Sequence, residues 1–121
     1  MNPDPQTFRR TVWLATIAVA ALLVGTPARA NGFTTGNQLL PLCQSASTDK
    51  VTYCVGYVTA LADVLGNSAI NGVRACFPTS ATKAQIVDIA IQFLNEHPER
   101  RHYTADSLVA HALVEAFPCK H

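Results

Sequence analysis

The stretch VTYCVGYVTALADVL, residues 51–65, decides the fold class of this chain. Its apolar residues recur at steps of three and four, which is the spacing of one face of an α-helix. This apolar stripe consists of Val51, Cys54, Val55, Val58, Leu61, Ala62 and Leu65. The sequence therefore predicts a helix over residues 49–65 that buries the stripe in a core.

A second apolar stripe runs beside the first on the same predicted helix, and it consists of Tyr53, Tyr57, Ala60 and Val64. A helix that is apolar over most of its circumference either lies at the centre of the fold or faces a second subunit. Both arrangements bury Tyr53 and Tyr57. The sequence leaves the choice open, so a homodimer through these tyrosines is one of two expectations.

Two more helices are indicated on either side of this one. Residues 34–42 form a short first helix, which Pro41 is expected to kink or shorten. Thr82 with Gln85 three residues later is a capping box, and it opens a third helix. That helix ends before Pro98, because the residue that precedes a proline avoids helical geometry.

Thr104 is the predicted cap of a fourth helix, and Asp106 in its first turn suits the helix dipole. No segment shows the sustained alternation of apolar and polar residues that is typical of a β-strand. The predicted fold is therefore all-α, a single small domain of four helices.

The first thirty residues have the features of an export signal. Arg9 and Arg10 precede an apolar run over residues 12–24, and a small-x-small site follows at residues 28–30. The run is shorter than the roughly 20 residues that a membrane-spanning helix needs. We therefore expect a cleaved signal peptide over residues 1–30 and a soluble exported domain over residues 31–121.

The expected mature chain is close to electrically neutral. Residues 31–121 contain six Lys and Arg residues and seven Asp and Glu residues. No basic patch or basic amphipathic stretch is present, so the composition implies neither a nucleic-acid partner nor binding to a membrane surface.

Four cysteines, Cys43, Cys54, Cys76 and Cys119, all lie in the expected mature domain. An even number in a small exported chain predicts two disulfides. Cys43 ends the first helix and Cys54 lies in the second turn of the next, so a helical hairpin brings them together. Cys76 and Cys119 each lie outside a helix end beside a proline, which favours them as the second pair. Pairing of Cys43 with Cys76 or Cys119 would contradict this assignment.

The segment NEHPERRH, residues 95–102, concentrates histidines, glutamates and arginines around one proline. A zinc site at His97 and His102 would lack further ligands, and no HExxH spacing occurs. Nothing places Glu96 and Glu99 in the apolar pocket that an acid catalyst requires. The sequence thus predicts no catalytic residues, metal or cofactor. The imidazole of His97 is expected to interact with the last carbonyl groups of the third helix.

Three stretches in order resemble one known family. They are GFTTGNQLLPLC at residues 32–43, YCVGYVTALADVL at residues 53–65, and residues 76–119, which contain CFP, HP and FPC. The set resembles the Rap/Tai immunity proteins of bacterial type VI secretion. The resemblance implies a helical, commonly dimeric protein of the periplasm. It also implies that the protein binds and inhibits a toxic peptidoglycan amidase without catalysing a reaction itself.

Recognition of one toxin is expected to use exposed polar residues outside the apolar stripes. The candidates are Asp88, Gln92, Glu99, Arg100, Arg101, His102 and Tyr103. The alternative for these residues is that they only keep a turn soluble. The alternative for the whole chain is a periplasmic binding or chaperone-like module of the same fold that has no toxin partner. An adjacent gene for an exported amidase would favour the immunity function.

Overall fold

The computed structural model describes residues 33–70 and 72–120. Helix α1 spans Gly36–Cys43, α2 spans Thr48–Asn67, α3 spans Lys83–Glu96 and α4 spans Ala105–Ala116. Within the described residues there are two isolated β-bridges and no strand. The all-α class with four helices is therefore confirmed. The predicted signal peptide, residues 1–30, lies outside the described residues and stays a prediction.

One side of α2 forms the centre of the core. Cys54, Val58, Ala62 and Leu65 are buried there, as the first apolar stripe predicts. The other three helices pack against this side. Their buried side chains include Leu39 and Leu40 from α1, Val87, Phe93 and Leu94 from α3, and Leu108, Val109 and Leu113 from α4.

The second apolar stripe of α2 is not buried within a single chain. Tyr53 is 50% exposed and Val64 is 46% exposed, and Ala60 between them is also exposed. The half-buried Tyr57 stacks on Tyr53 with ring centroids 6.2 Å apart. The expectation that α2 is central on all sides is therefore wrong, because α1, α3 and α4 cover one side of it only. The reading with a second subunit stays a prediction.

The capping predictions differ in outcome. Thr82 and Gln85 form the capping box at the start of α3, so this prediction is confirmed. Thr104 occupies the N-cap position of α4, but its hydroxyl contacts the hydroxyl of Ser107 and not a backbone N–H. The first backbone N–H of α4, that of Ala105, donates instead to the carbonyl of Thr34 at 2.8 Å.

Two disulfides close the domain, and they are the pairs that the sequence favours. Cys43 at the end of α1 is bonded to Cys54 in α2. Cys76, before α3, is bonded to Cys119, after α4. The second bridge is reinforced by a hydrogen bond from the Cys76 N–H to the Phe117 carbonyl at 2.9 Å. No helix in the described ranges combines the length and hydrophobicity of a membrane span.

Candidate functional site

The segment between α3 and α4, residues 97–104, is fixed to the start of α1, and we call it the α3–α4 loop. The Gly36 N–H donates to the carbonyl of Tyr103 at 3.1 Å, and the Asn37 N–H donates to the carbonyl of Arg101 at 2.8 Å. These N–H groups belong to the first turn of a helix and have no partner within that helix. The loop carbonyls satisfy them, which leaves the loop side chains out of this attachment.

Gly36 allows the loop to approach α1 this closely. A Cβ atom at this position would lie 2.7 Å from Cδ1 of Leu108 and 3.0 Å from the Cα of Arg101. The second distance is to backbone, which cannot turn away as a side-chain tip can. The sequence alone did not indicate this role of Gly36. The one feature of the sequence that pointed to this role is a glycine directly after the threonine that caps the helix.

Three of the predicted contact residues project from the loop. Glu99, His102 and Tyr103 are exposed, and Tyr103 is the most prominent apolar group of the loop at 55% exposure. The rings of His102 and Tyr103 pack together with centroids 4.1 Å apart. These side chains are accessible to a partner on a backbone that is already fixed.

The two arginines of the loop are partly engaged in its own packing. The guanidinium carbon of Arg100 lies 5.6 Å from the centroid of the Phe93 ring, which is the geometry of a cation–π contact. Arg101 is half-buried, and its Nε atom is buried without a hydrogen-bond partner among the described residues. Both arginines therefore shape the loop and offer a partner only part of each side chain.

His97 links the end of α3 to the loop in a way that the sequence did not indicate. Its Nδ1 lies 3.2 Å from a carboxylate oxygen of Glu99, and its ring packs 4.4 Å from that of Phe93. The expected interaction with the last helix carbonyls is not formed by the imidazole. A hydrogen bond from its own backbone N–H lowers the pKa of Glu99, and the contact with His97 lowers this pKa further.

Asp88 and Gln92 lie apart from the loop, on the exposed side of α3. Gln92 and Ile89 each line two cavities. One cavity, of about 290 Å³, lies between α3 and α4 and reaches His97. The other, of about 450 Å³, includes Asp88 and extends to Pro78. The shared residues make the two cavities neighbours along α3, and we call the pair the α3 groove.

The structure therefore divides the predicted contact residues between two neighbouring features. Residues 99–103 belong to the α3–α4 loop, whereas Asp88 and Gln92 belong to the α3 groove. The sequence alone did not indicate a site at Glu115, Ala112 and Ala116, although they line the groove from α4. The spacing of the two alanines was a feature of the sequence that indicates a groove. Small residues four apart lie on the same side of a helix and leave a depression in its surface.

The described residues offer no geometry for a metal centre. Within residues 33–70 and 72–120, no three His, Cys, Asp or Glu side chains are grouped so that they could hold an ion. What the surface does offer is a fixed loop, an exposed tyrosine and a groove with polar edges. These features define a small helical domain of the disulfide-linked class.

The comparisons with known proteins identify the family. The sequence model of the Rap1a immunity proteins matches residues 35–119, which run from the N-cap of α1 to the last cysteine. The chain therefore belongs to the Rap1a immunity protein family, and the resemblance found in the sequence is confirmed. Membership assigns it to proteins that give immunity against effectors of type VI secretion. Neither curated proteins nor solved structures yielded a match to the chain.

Proposed function

We propose that this protein is an exported, non-catalytic inhibitor that binds a peptidoglycan amidase toxin in the periplasm. The family match over residues 35–119 is the observation that carries the proposal, because it spans all four helices and both disulfides. Two disulfides agree with an oxidising compartment. The first test is rescue: cells that produce a periplasmic amidase effector from the same genome should survive when they also produce this protein. Lysis of such cells would reject the immunity function.

The α3–α4 loop is the contact surface that we propose for the toxin. Its backbone is held by hydrogen bonds to α1, so binding does not require the loop to be ordered first. Glu99, His102 and Tyr103 are the exposed side chains on this fixed backbone. Tyrosine is one of the residues that most often carry binding energy in protein interfaces.

Truncation of Tyr103 tests the loop directly. We expect Tyr103→Ala to weaken the affinity for the amidase by roughly tenfold, or about 1.4 kcal/mol, because an exposed aromatic anchor is lost. Affinity can be measured by calorimetry with purified amidase. Val73→Ala, which shortens an exposed apolar side chain outside the loop, serves as the control. If a triple alanine variant of Glu99, His102 and Tyr103 binds as well as the wild type, this surface is excluded.

We propose that a second copy of the chain packs against the exposed stripe of α2. Tyr53, Ala60 and Val64 present a continuous apolar strip, and Tyr57 borders it. Burial of such a strip between two copies removes apolar surface from water. We therefore expect a homodimer through this stripe.

The dimer is tested by light scattering on the purified protein. Val64→Glu is expected to halve the measured mass, because a dimer would bury two unpaired carboxylates. Thr52→Glu, which adds the same charge at an exposed polar position of α2, should leave the mass unchanged. A wild-type protein that is monomeric at about 100 μM would contradict the dimer, since an obligate interface forms at far lower concentration.

A further inference from the structure

The α3 groove has an apolar floor between polar edges. Its floor consists of Ile89, Phe93, Ala112, Ala116 and Phe117. The short side chains of Ala112 and Ala116 leave this part of the groove open. Its two neighbouring cavities together extend along α3 from Gln85 to His97. At about 1.5 Å per helical residue this length is about 18 Å, enough for five or six residues of extended chain.

The acidic side chains that line the groove outnumber the basic groups beside it, which are His97 in the lining and Arg100 over the Phe93 ring. Asp88 and Glu96 on α3 and Glu115 on α4 provide three carboxylates. None of the residues that line it in the described chain is a lysine or an arginine. The amide of Gln92 donates to a carboxylate oxygen of Glu96 at 2.8 Å, which orients that carboxylate on the edge. Glu115 lies 3.8 Å from His111 on its own helix. The edges therefore attract cations from both walls.

We propose that the α3 groove binds an extended basic segment of the toxin, in which lysines or arginines alternate with apolar residues. This inference rests on the proposed function and names the chemistry of the partner. In an extended segment successive side chains point to opposite sides. Alternate apolar side chains therefore meet the floor at Ile89 and Phe117, while the intervening basic side chains meet Asp88, Glu96 and Glu115.

The groove and the loop together define one continuous contact region. His97 lines the end of the groove and contacts Glu99 in the loop. A toxin that places a basic segment in the groove is therefore also close to the α3–α4 loop at Glu99. In this arrangement the groove selects the charge of the partner and the loop supplies the aromatic contact.

A synthetic peptide tests the groove without any toxin. The probe is the hexapeptide acetyl-KLKAKA-amide, and the comparison peptide is acetyl-ELEAEA-amide. Titration into the isotope-labelled protein, followed by NMR, should shift the signals of Ile89, Ala112 and Ala116. The basic peptide is expected to bind at least tenfold more tightly than the acidic one. Raising the salt concentration to about 0.5 M should reduce this difference, because exposed charges are screened.

A variant without the groove carboxylates tests whether they are needed to bind the basic peptide. The triple change Asp88→Asn, Glu96→Gln and Glu115→Gln should weaken binding of the basic peptide by roughly tenfold. The control neutralises three acids outside the groove, through Asp49→Asn, Asp63→Asn and Asp106→Asn. Equal binding of the two peptides, signal shifts confined to other surfaces, or an equal loss in the control variant would each overturn the proposal.

The amidase itself separates failure of the groove from failure of the immunity function. If the wild type protects cells and the groove variant binds the amidase roughly tenfold more weakly than the control variant, the groove is supported. If the wild type protects and both variants bind alike, the groove is rejected and the immunity function stands. If the wild type does not protect, the immunity function fails, and with it the assignment of the groove to a toxin.

Discussion

Changing Cys76 and Cys119 to alanine is expected to lower the free energy of unfolding by about 4 kcal/mol. The two residues are 43 positions apart, so their bridge closes a loop that contains α3, the α3–α4 loop and α4. Without the bridge the unfolded chain gains conformational freedom, and this gain grows with the length of the loop. The loss is a large part of the stability of a domain of this size.

The other disulfide is the matched control for this effect. Cys43 and Cys54 are only 11 positions apart, so the same argument predicts a loss of about 3 kcal/mol when both become alanine. Denaturant unfolding of the two double variants measures the difference. A larger loss from the Cys43–Cys54 variant would show that packing around the buried Cys54 outweighs loop length.

Gly36→Ala is expected to damage both stability and recognition. The added methyl group would press on Leu108 and on the backbone of Arg101, and such overpacking costs about 1–3 kcal/mol. Relief requires the α3–α4 loop to move away from α1, which displaces Glu99 and Tyr103 together. We therefore expect the affinity for the amidase to fall by at least tenfold, since a small misplacement affects every contact of the loop.

Gly56 offers a control with the same chemical change. It lies in α2, and a Cβ atom there would have no heavy atom within 4 Å. Gly56→Ala should therefore stabilise the helix by up to about 1 kcal/mol and leave the affinity unchanged. Thermal unfolding of both variants measures the change in stability, and calorimetry measures the change in affinity for the amidase. If Gly36→Ala is as well tolerated as Gly56→Ala, the close approach of the loop to α1 is not required.

Much of the fold could be predicted because it depends on local patterns. The stripe that contains Cys54 and Val58 determines which side of α2 is buried, and Thr82 with Gln85 determines where α3 begins. The open side of α2 at Tyr53 could not be predicted. Periodicity shows which residues are apolar, but it does not show how many helices are available to cover them.

The candidate site was harder to predict because it depends on contacts between distant segments. The loop residues were recognisable as polar, but their attachment to Gly36 joins parts of the chain that are far apart in sequence. The same holds for the α3 groove, in which Glu96 and Glu115 come from different helices. Each residue had a predictable position on its own helix, whereas the pairing of the two helix faces required the tertiary structure.

The attachment of the α3–α4 loop through main-chain atoms has a consequence for how this protein can evolve. The N–H groups of Gly36 and Asn37 donate to carbonyl groups of the loop, which every amino acid possesses. Mutations at Glu99, His102 and Tyr103 can therefore accumulate without disturbing the scaffold. If these side chains bind the toxin as proposed, the specificity can change at these positions while Gly36 and the backbone contacts are kept.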